Sequence, residues 1–227
     1  MRVYGHTDVV PRRSRKGPGK SLPLGHPGTA SGLMGSSEFF DLLRKRNREN
    51  AQEIDRLIEA RGLYELAVLA CDSSGFSRKT HEYGILQFLA IMTKCYDRLI
   101  PILEHQGGIC LTHNADNLLA VFADPAHSVQ AAVDMCGWLR SYNKELPAYD
   151  QFDICIGIHF GQMVRLKRNV FGDTVNVAAK VGEDLAGRDE ILITGVVADC
   201  VKERFDVEYS RSTELGGRTF ELYRVLH

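Results

Sequence analysis

The sequence predicts an α+β fold in which helices cover a largely antiparallel sheet. Three observations predict it. Apolar residues at i, i+3, i+4, i+7 spacing mark two long helices, at 83–105 and 126–146. Short apolar runs of strand length flank both, at 66–71, 109–111, 118–122 and 152–160. Two of those runs are joined by the polar turn His113-Asn114-Ala115-Asp116, which reads as a hairpin. The order β-α-β-β-α-β is that of a ferredoxin-like core, here preceded by a helix and followed by a C-terminal extension.

A chain of 227 residues has room for one ordinary domain and an appendage. Hydrophobic residues at 44% and charged residues at 25% are the proportions of a soluble globular protein. A formal net charge of −1 provides no general footprint for nucleic acid or a membrane surface, so any charged ligand must be handled locally. Cys71, Cys95, Cys110, Cys136, Cys155 and Cys200 form no C-x-x-C pair and sit mostly in apolar stretches, which predicts buried reduced thiols in a cytoplasmic protein. The apolar stretch from Ile85 to Met92 is far shorter than the roughly 20 residues that span a bilayer, so no membrane segment is expected.

Residues 1–36 read as a disordered basic tail, with Arg2, Arg12, Arg13, Arg15, Lys16 and Lys20 against the single acid Asp8. A polyanion-binding role for Arg13-Ser14-Arg15-Lys16 is the alternative, and Met34 is a second candidate translation start. Residues 37–62 read as one helix, with Ser37 as N-cap, Glu38 and Asp41 in its first turn and Gly62 as its stop. Its apolar residues cluster at the ends, so a dimerising coiled coil and a solvated lead-in helix are both compatible with it. Residues 63–227 form the folded domain. Strand one, Leu66 to Cys71, ends in the turn Asp72-Ser73-Ser74-Gly75. Beyond the second long helix and its strand come a helix over 175–185, a strand over 191–194, a short helix over 196–204 and a terminal pair of strands, 205–209 and 219–225.

In this topology strand one lies beside the hairpin, so Asp72 approaches Asp116. Two close carboxylates repel unless protonated or bridged, and hard oxygen donors suit Mg²⁺ or Mn²⁺. Asp72, Ser73 and Asp116 are therefore the expected metal-holding residues of a two-metal phosphoryl-transfer site. Cys71 reads as packing, and His113 and His159 as hydrogen-bonded neighbours of the site.

These residues carry a resemblance. Leu69-Ala70-Cys71-Asp72-Ser73-Ser74-Gly75-Phe76-Ser77 resembles the strand-Asp-x-x-Gly-Phe-Ser/Thr signature of the class III adenylyl and guanylyl cyclases. Asn114 to Phe122 is similar to that family's second-aspartate hairpin, Gly157 to Gly161 to the following strand, and Phe171 to Lys180 to its Gly-Asp-x-Val-Asn helix. The resemblance spans about Leu66 to Val225. It implies cyclisation of a nucleoside triphosphate to a 3′,5′-cyclic monophosphate with release of pyrophosphate, using two Mg²⁺ or Mn²⁺ ions per site. Amides of Gly75, Phe76 and Ser77 would receive phosphate oxygens. Asn176 would orient the ribose and Lys180 would offset charge on the α-phosphate, both supplied by the partner in a head-to-tail homodimer.

The chain departs from the family's base-reading pairs, with Thr112 and Asn169 where adenylyl cyclases carry Lys and Asp and guanylyl cyclases Glu and Cys. Lys180 stands where Arg is usual, and Leu215 where a triphosphate-binding Lys is usual, leaving Arg218 as the nearest substitute. Three readings follow: a cyclase for ATP, favoured because both aspartates are present; a cyclase for GTP or a pyrimidine nucleotide; and a catalytically weak nucleotide-binding or dimerisation module.

Overall fold

A computed structural model of the chain describes residues 32–114 and 116–227. The expected basic tail lies outside the described residues up to position 31. Its last part does not behave as a tail. Leu33 and Met34 are buried, Met34 against Phe39, Ile54, Ile58 and Leu166.

The lead-in region is two helices, α1 (Ser36–Lys45) and α2 (Ala51–Gly62), where the sequence predicts one. Asn47 and Asn50 explain the break: Asn47 Oδ1 accepts the amides of Glu49 and Asn50, and Asn50 Oδ1 accepts that of Asn47. Such side-chain bonds offer the backbone an alternative to the helix. Arg46 pairs with Asp55 through two hydrogen bonds, and Arg61 pairs with Glu38, closing the helical hairpin. Its apolar ends fold back on their own domain, Phe39 stacking on Phe171 at 5.5 Å.

The domain follows in chain order as β1 (Leu63–Ser73), α3 (Phe76–Tyr83), α4 (Ile85–His105), β2 (Ile109–Asn114), β3 (Asn117–Phe122), α5 (Pro125–Asn143), β4 (Ile154–Arg165), β5 (Val170–Phe171), α6 (Asp173–Lys180), β6 (Ile191–Thr194), α7 (Gly195–Val201), β7 (Val207–Leu215) and β8 (Arg218–Val225). A π-helical turn, Val181–Leu185, continues α6. The eight strands form one sheet in the order β2-β3-β1-β4-β6-β8-β7, with β5 pairing to β4. Among the described residues, β4 and β6 are the one parallel pair of the sheet. The predicted α+β core is therefore present, and its first four strands have the ferredoxin-like arrangement. Among the described residues no helix is long and apolar enough to cross a membrane.

Alternation along β1 divides the core. Ala67, Leu69 and Cys71 pack under α4, α5 and α7, while Leu66, Val68 and Ala70 face Ala178 of α6. On the α6 side the backbones approach closely. A Cβ on Gly157 would lie 2.2 Å from the Gly182 nitrogen and 2.5 Å from the Ala178 oxygen, so only glycine lets the π turn rest on the sheet.

His159, on β4, is buried with its Nδ1 2.7 Å from Thr194 Oγ1, the hydrogen-bonded role expected of it. Burial, then the Arg218 charge, pushes it from 6.5 down to about 4. The unfolded chain thus takes up this proton first. Its effect on stability is absent above about pH 6.5, grows as pH falls towards 4 and is constant below, reaching about 3 kcal/mol from the size of the shift. Denaturant melts at pH 7 and pH 4.5 should show a smaller acid-induced loss in His159→Gln than in wild type, and equal losses would refute this.

Candidate functional site

The site is built where β1 ends. Asp72 pairs in register with Asn117, next to Asp116 in the β2–β3 turn. Two hydrogen bonds fix that turn through the Asp116 carbonyl oxygen, which accepts the Ser73 amide at 3.1 Å and the Tyr96 hydroxyl at 2.6 Å. Tyr96 belongs to the apolar stripe of α4 and is buried, so its hydroxyl needs a partner, and that partner is the aspartate turn.

Burial is the first cause that raises Asp72 to about 6, and the Asp116 charge is the second. The Ser73 amide pulls the other way, and Glu183 of the π turn adds a further push upward. Burial, Asp184 and Asp116 in turn raise Glu183. Two carboxylates whose charges repel across partly buried space could hold a hard divalent cation such as Mg²⁺ or Mn²⁺. Strand alternation sends the Ser73 side chain to the other face, where its buried Oγ has no hydrogen-bond partner among the described residues. What Ser73 offers on the Asp72 face is its main chain.

Gly75, with φ +81°, turns the chain into α3. The helix predicted over 83–105 is α4, and a separate short helix, α3, precedes it, divided from it at Gly84, whose φ is +88°. The amides of Gly75, Phe76 and Ser77 open α3, where the first turn leaves donors without intrahelical partners. Phe76 anchors them edge-on against Phe88 at 4.9 Å. A clamp that the sequence did not reveal holds the same turn. Asp153 accepts the Ser74 amide on its carbonyl at 2.8 Å, and its carboxylate lies 3.7 Å from the Nζ of buried Lys79 and 3.1 Å from Arg188. Lys79 Nζ also donates to the Gln151 carbonyl.

The other expected residues gather elsewhere. Asn176 and Lys180 stand one turn apart on the exposed side of α6, with Lys180 Nζ 3.9 Å from Asp184. Among the described residues no hydrogen bond or ion pair joins either to Asp72 or Asp116. Arg218, at the start of β8, pairs with Asp173 at the start of α6 and lies over the Phe220 ring. Leu215 packs with Leu222, Val177 and Leu192. Thr112 is exposed on β2 beyond a bulge, and Asn169 is exposed at the turn into β5, its Oδ1 accepting the Val170 amide at 2.9 Å. Asp72 and Asp116 thus lie where β1 meets the β2–β3 turn, beside the start of α3, while Asn176 and Lys180 lie on α6 and Arg218 at the start of β8.

Comparison with known proteins agrees with this architecture. The family model of the adenylate and guanylate cyclase catalytic domain matches residues 110–227. "Putative adenylate cyclase 3" of Rhizobium meliloti (strain 1021) is 25% identical over 143 residues, 63% of this chain and 24% of that protein. "Serine/threonine-protein kinase pkn2" of Myxococcus xanthus is 28% identical over 137 residues, 58% of this chain and 16% of that protein. The chain therefore spans a quarter or less of these curated relatives. Among solved structures, an adenylate/guanylate cyclase/hydrolase from Silicibacter pomeroyi superposes with a TM-score of 0.65 at 22% identity, covering 73% of this chain and 98% of that one.

Proposed function

From the premise that the chain belongs to the adenylate and guanylate cyclase catalytic domain family, we propose that it converts a nucleoside triphosphate to a 3′,5′-cyclic monophosphate and pyrophosphate, at sites shared by two copies of the chain. The observation that supports this reading is that Asp72 lies in register beside the β2–β3 turn that bears Asp116, at the start of α3. Held by Asp72, Asp116 and the Ser73 main chain, two Mg²⁺ or Mn²⁺ ions would supply the positive charge that offsets the triphosphate and acidifies the 3′-hydroxyl. Gly75, Phe76 and Ser77 receive phosphate oxygens on their amides. Asn176 and Lys180, exposed and, among the described residues, bonded to neither Asp72 nor Asp116, serve the site of the second copy: Asn176 orients the ribose and Lys180 offsets charge on the α-phosphate. Arg218 reaches the triphosphate by leaving Asp173. The buried free thiols Cys71, Cys95, Cys136 and Cys155 suit a reducing compartment such as the cytoplasm.

The base is read by Thr112 and Asn169. ATP is the first reading, supported by both aspartates and by the name of the Rhizobium relative. One observation favours GTP as a second. Asn169 Oδ1 already accepts the Val170 amide, so its Nδ2 is the more available group, and a donor suits the keto oxygen of guanine. Purified protein with Mn²⁺ and each of the four triphosphates tests the proposal. A cyclic nucleotide from at least one is expected, cyclic AMP or cyclic GMP deciding between the readings. No cyclic product from any, with nucleotide binding retained, would leave only a binding module.

A further inference from the structure

On the face of the sheet opposite Asp72, three side chains from separate elements meet. They are Cys136 of α5, Asp189 in the turn before β6, and His227 beyond β8, and one ligand atom from each lies within 4.8 Å of the other two. We propose that they bind one thiophilic divalent transition metal of the zinc class, at a site distinct from the carboxylate pair.

The donor set points to such an ion. One sulfur, one imidazole nitrogen and one carboxylate oxygen match the mixed ligands of Zn²⁺ or Co²⁺, whereas Mg²⁺ takes oxygen alone. Metal–ligand bonds of about 2.0–2.3 Å put tetrahedral ligands about 3.5 Å apart, so small side-chain rotations close the observed spacing. Burial grades through the cluster, with Cys136 inside, Asp189 partly covered and His227 exposed, which leaves a fourth position open to solvent. Asp189 holds its carboxylate there from a backbone at φ +56°, a conformation that residues other than glycine adopt at some cost.

Arg140, one turn along α5 from Cys136, shows what the cluster attracts. Its Nη1 lies 3.2 Å from an Asp189 carboxylate oxygen and donates to His227 Nδ1 at 2.7 Å. The imidazole therefore presents a lone pair inward, and a guanidinium stands where a metal would. Arg140 is 43% exposed and can swing into solvent as the metal enters. The buried Cys136 thiol, close to the Asp189 carboxylate, would give up its proton on ligation.

Cobalt(II) tests the site in full-length protein freed of metal, because a thiolate ligand gives cobalt a charge-transfer absorption that oxygen ligands do not. One cobalt per chain with that absorption is expected in wild type and in an Asp72→Asn, Asp116→Asn double variant. Cys136→Ser should lose the absorption. His227→Ala, at an exposed position that leaves folding intact, and Asp189→Asn should each weaken binding by at least about tenfold. Absence of the absorption in wild type, its survival in Cys136→Ser, or unchanged affinity in His227→Ala would overturn the proposal.

Discussion

Asp72→Ala and Asp116→Ala are each expected to lower cyclisation by at least about 100-fold, because each removes a carboxylate that holds charge against the triphosphate in the transition state. Folding should survive, since Asp116 is tied to the sheet through its main-chain oxygen, which alanine also has. Without metal, Asp72→Asn should even stabilise the chain at pH 7. Asp72 is held at about 6 instead of 3.8, so its charge opposes folding as pH rises through that interval. Discounted for its half-open surroundings, the gain is about 1 kcal/mol, or a few degrees in the melting temperature. Turnover assays beside thermal melts check both parts. Near-normal activity in either alanine variant would remove these aspartates from the mechanism.

Gly157→Ala is expected to destabilise by about 3 kcal/mol or more and to lower the melting temperature by about 10 °C. The added methyl would strike main-chain atoms of Gly182 and Ala178, which cannot turn aside as a side chain would. The π turn would have to lift from the sheet, taking with it α6 and its Asn176 and Lys180. Gly137→Ala is the matching control. Its Cβ meets nothing within 4 Å in the interior of α5, and the higher helix propensity of alanine should stabilise by about 0.5–1 kcal/mol. Equal melting temperatures for the two variants would contradict the packing described.

The core was legible because periodicity is a local signal: the stripe of α4 and the run of β1 each announce their buried face. That Asp72 lies beside the turn of Asp116 was legible for a topological reason, as a strand and its neighbouring hairpin can bring their ends together in few ways. What escaped was set by distant contacts or by short elements. Met34 reads as the end of a polar tail because its partner Leu166 lies far along the chain. The polar run of α3 carries no apolar period, and Gly84 divides it from α4. Two-residue β5 is too short for any pattern. Tyr96 passes for one more apolar position of α4, its role visible only once its hydroxyl is found on the Asp116 carbonyl. Lys79 looks like a solvated cation, yet Asp153 and the Gln151 carbonyl hold it under the turn that opens α3. The two helices in place of one were signalled by Asn47 and Asn50, residues that favour caps and turns.

The most direct test of the shared site is to mix Asp72→Ala with Asn176→Ala, each inactive alone. Asp72 lies at the end of β1 and Asn176 on the exposed side of α6, and in a head-to-tail dimer each site would draw one from each copy. If subunits exchange freely, half of the dimers are mixed and one of their two sites is intact, so activity should return to about a quarter of wild type. Activity in the mixture no higher than in either variant alone, with exchange of subunits demonstrated, would contradict the shared site.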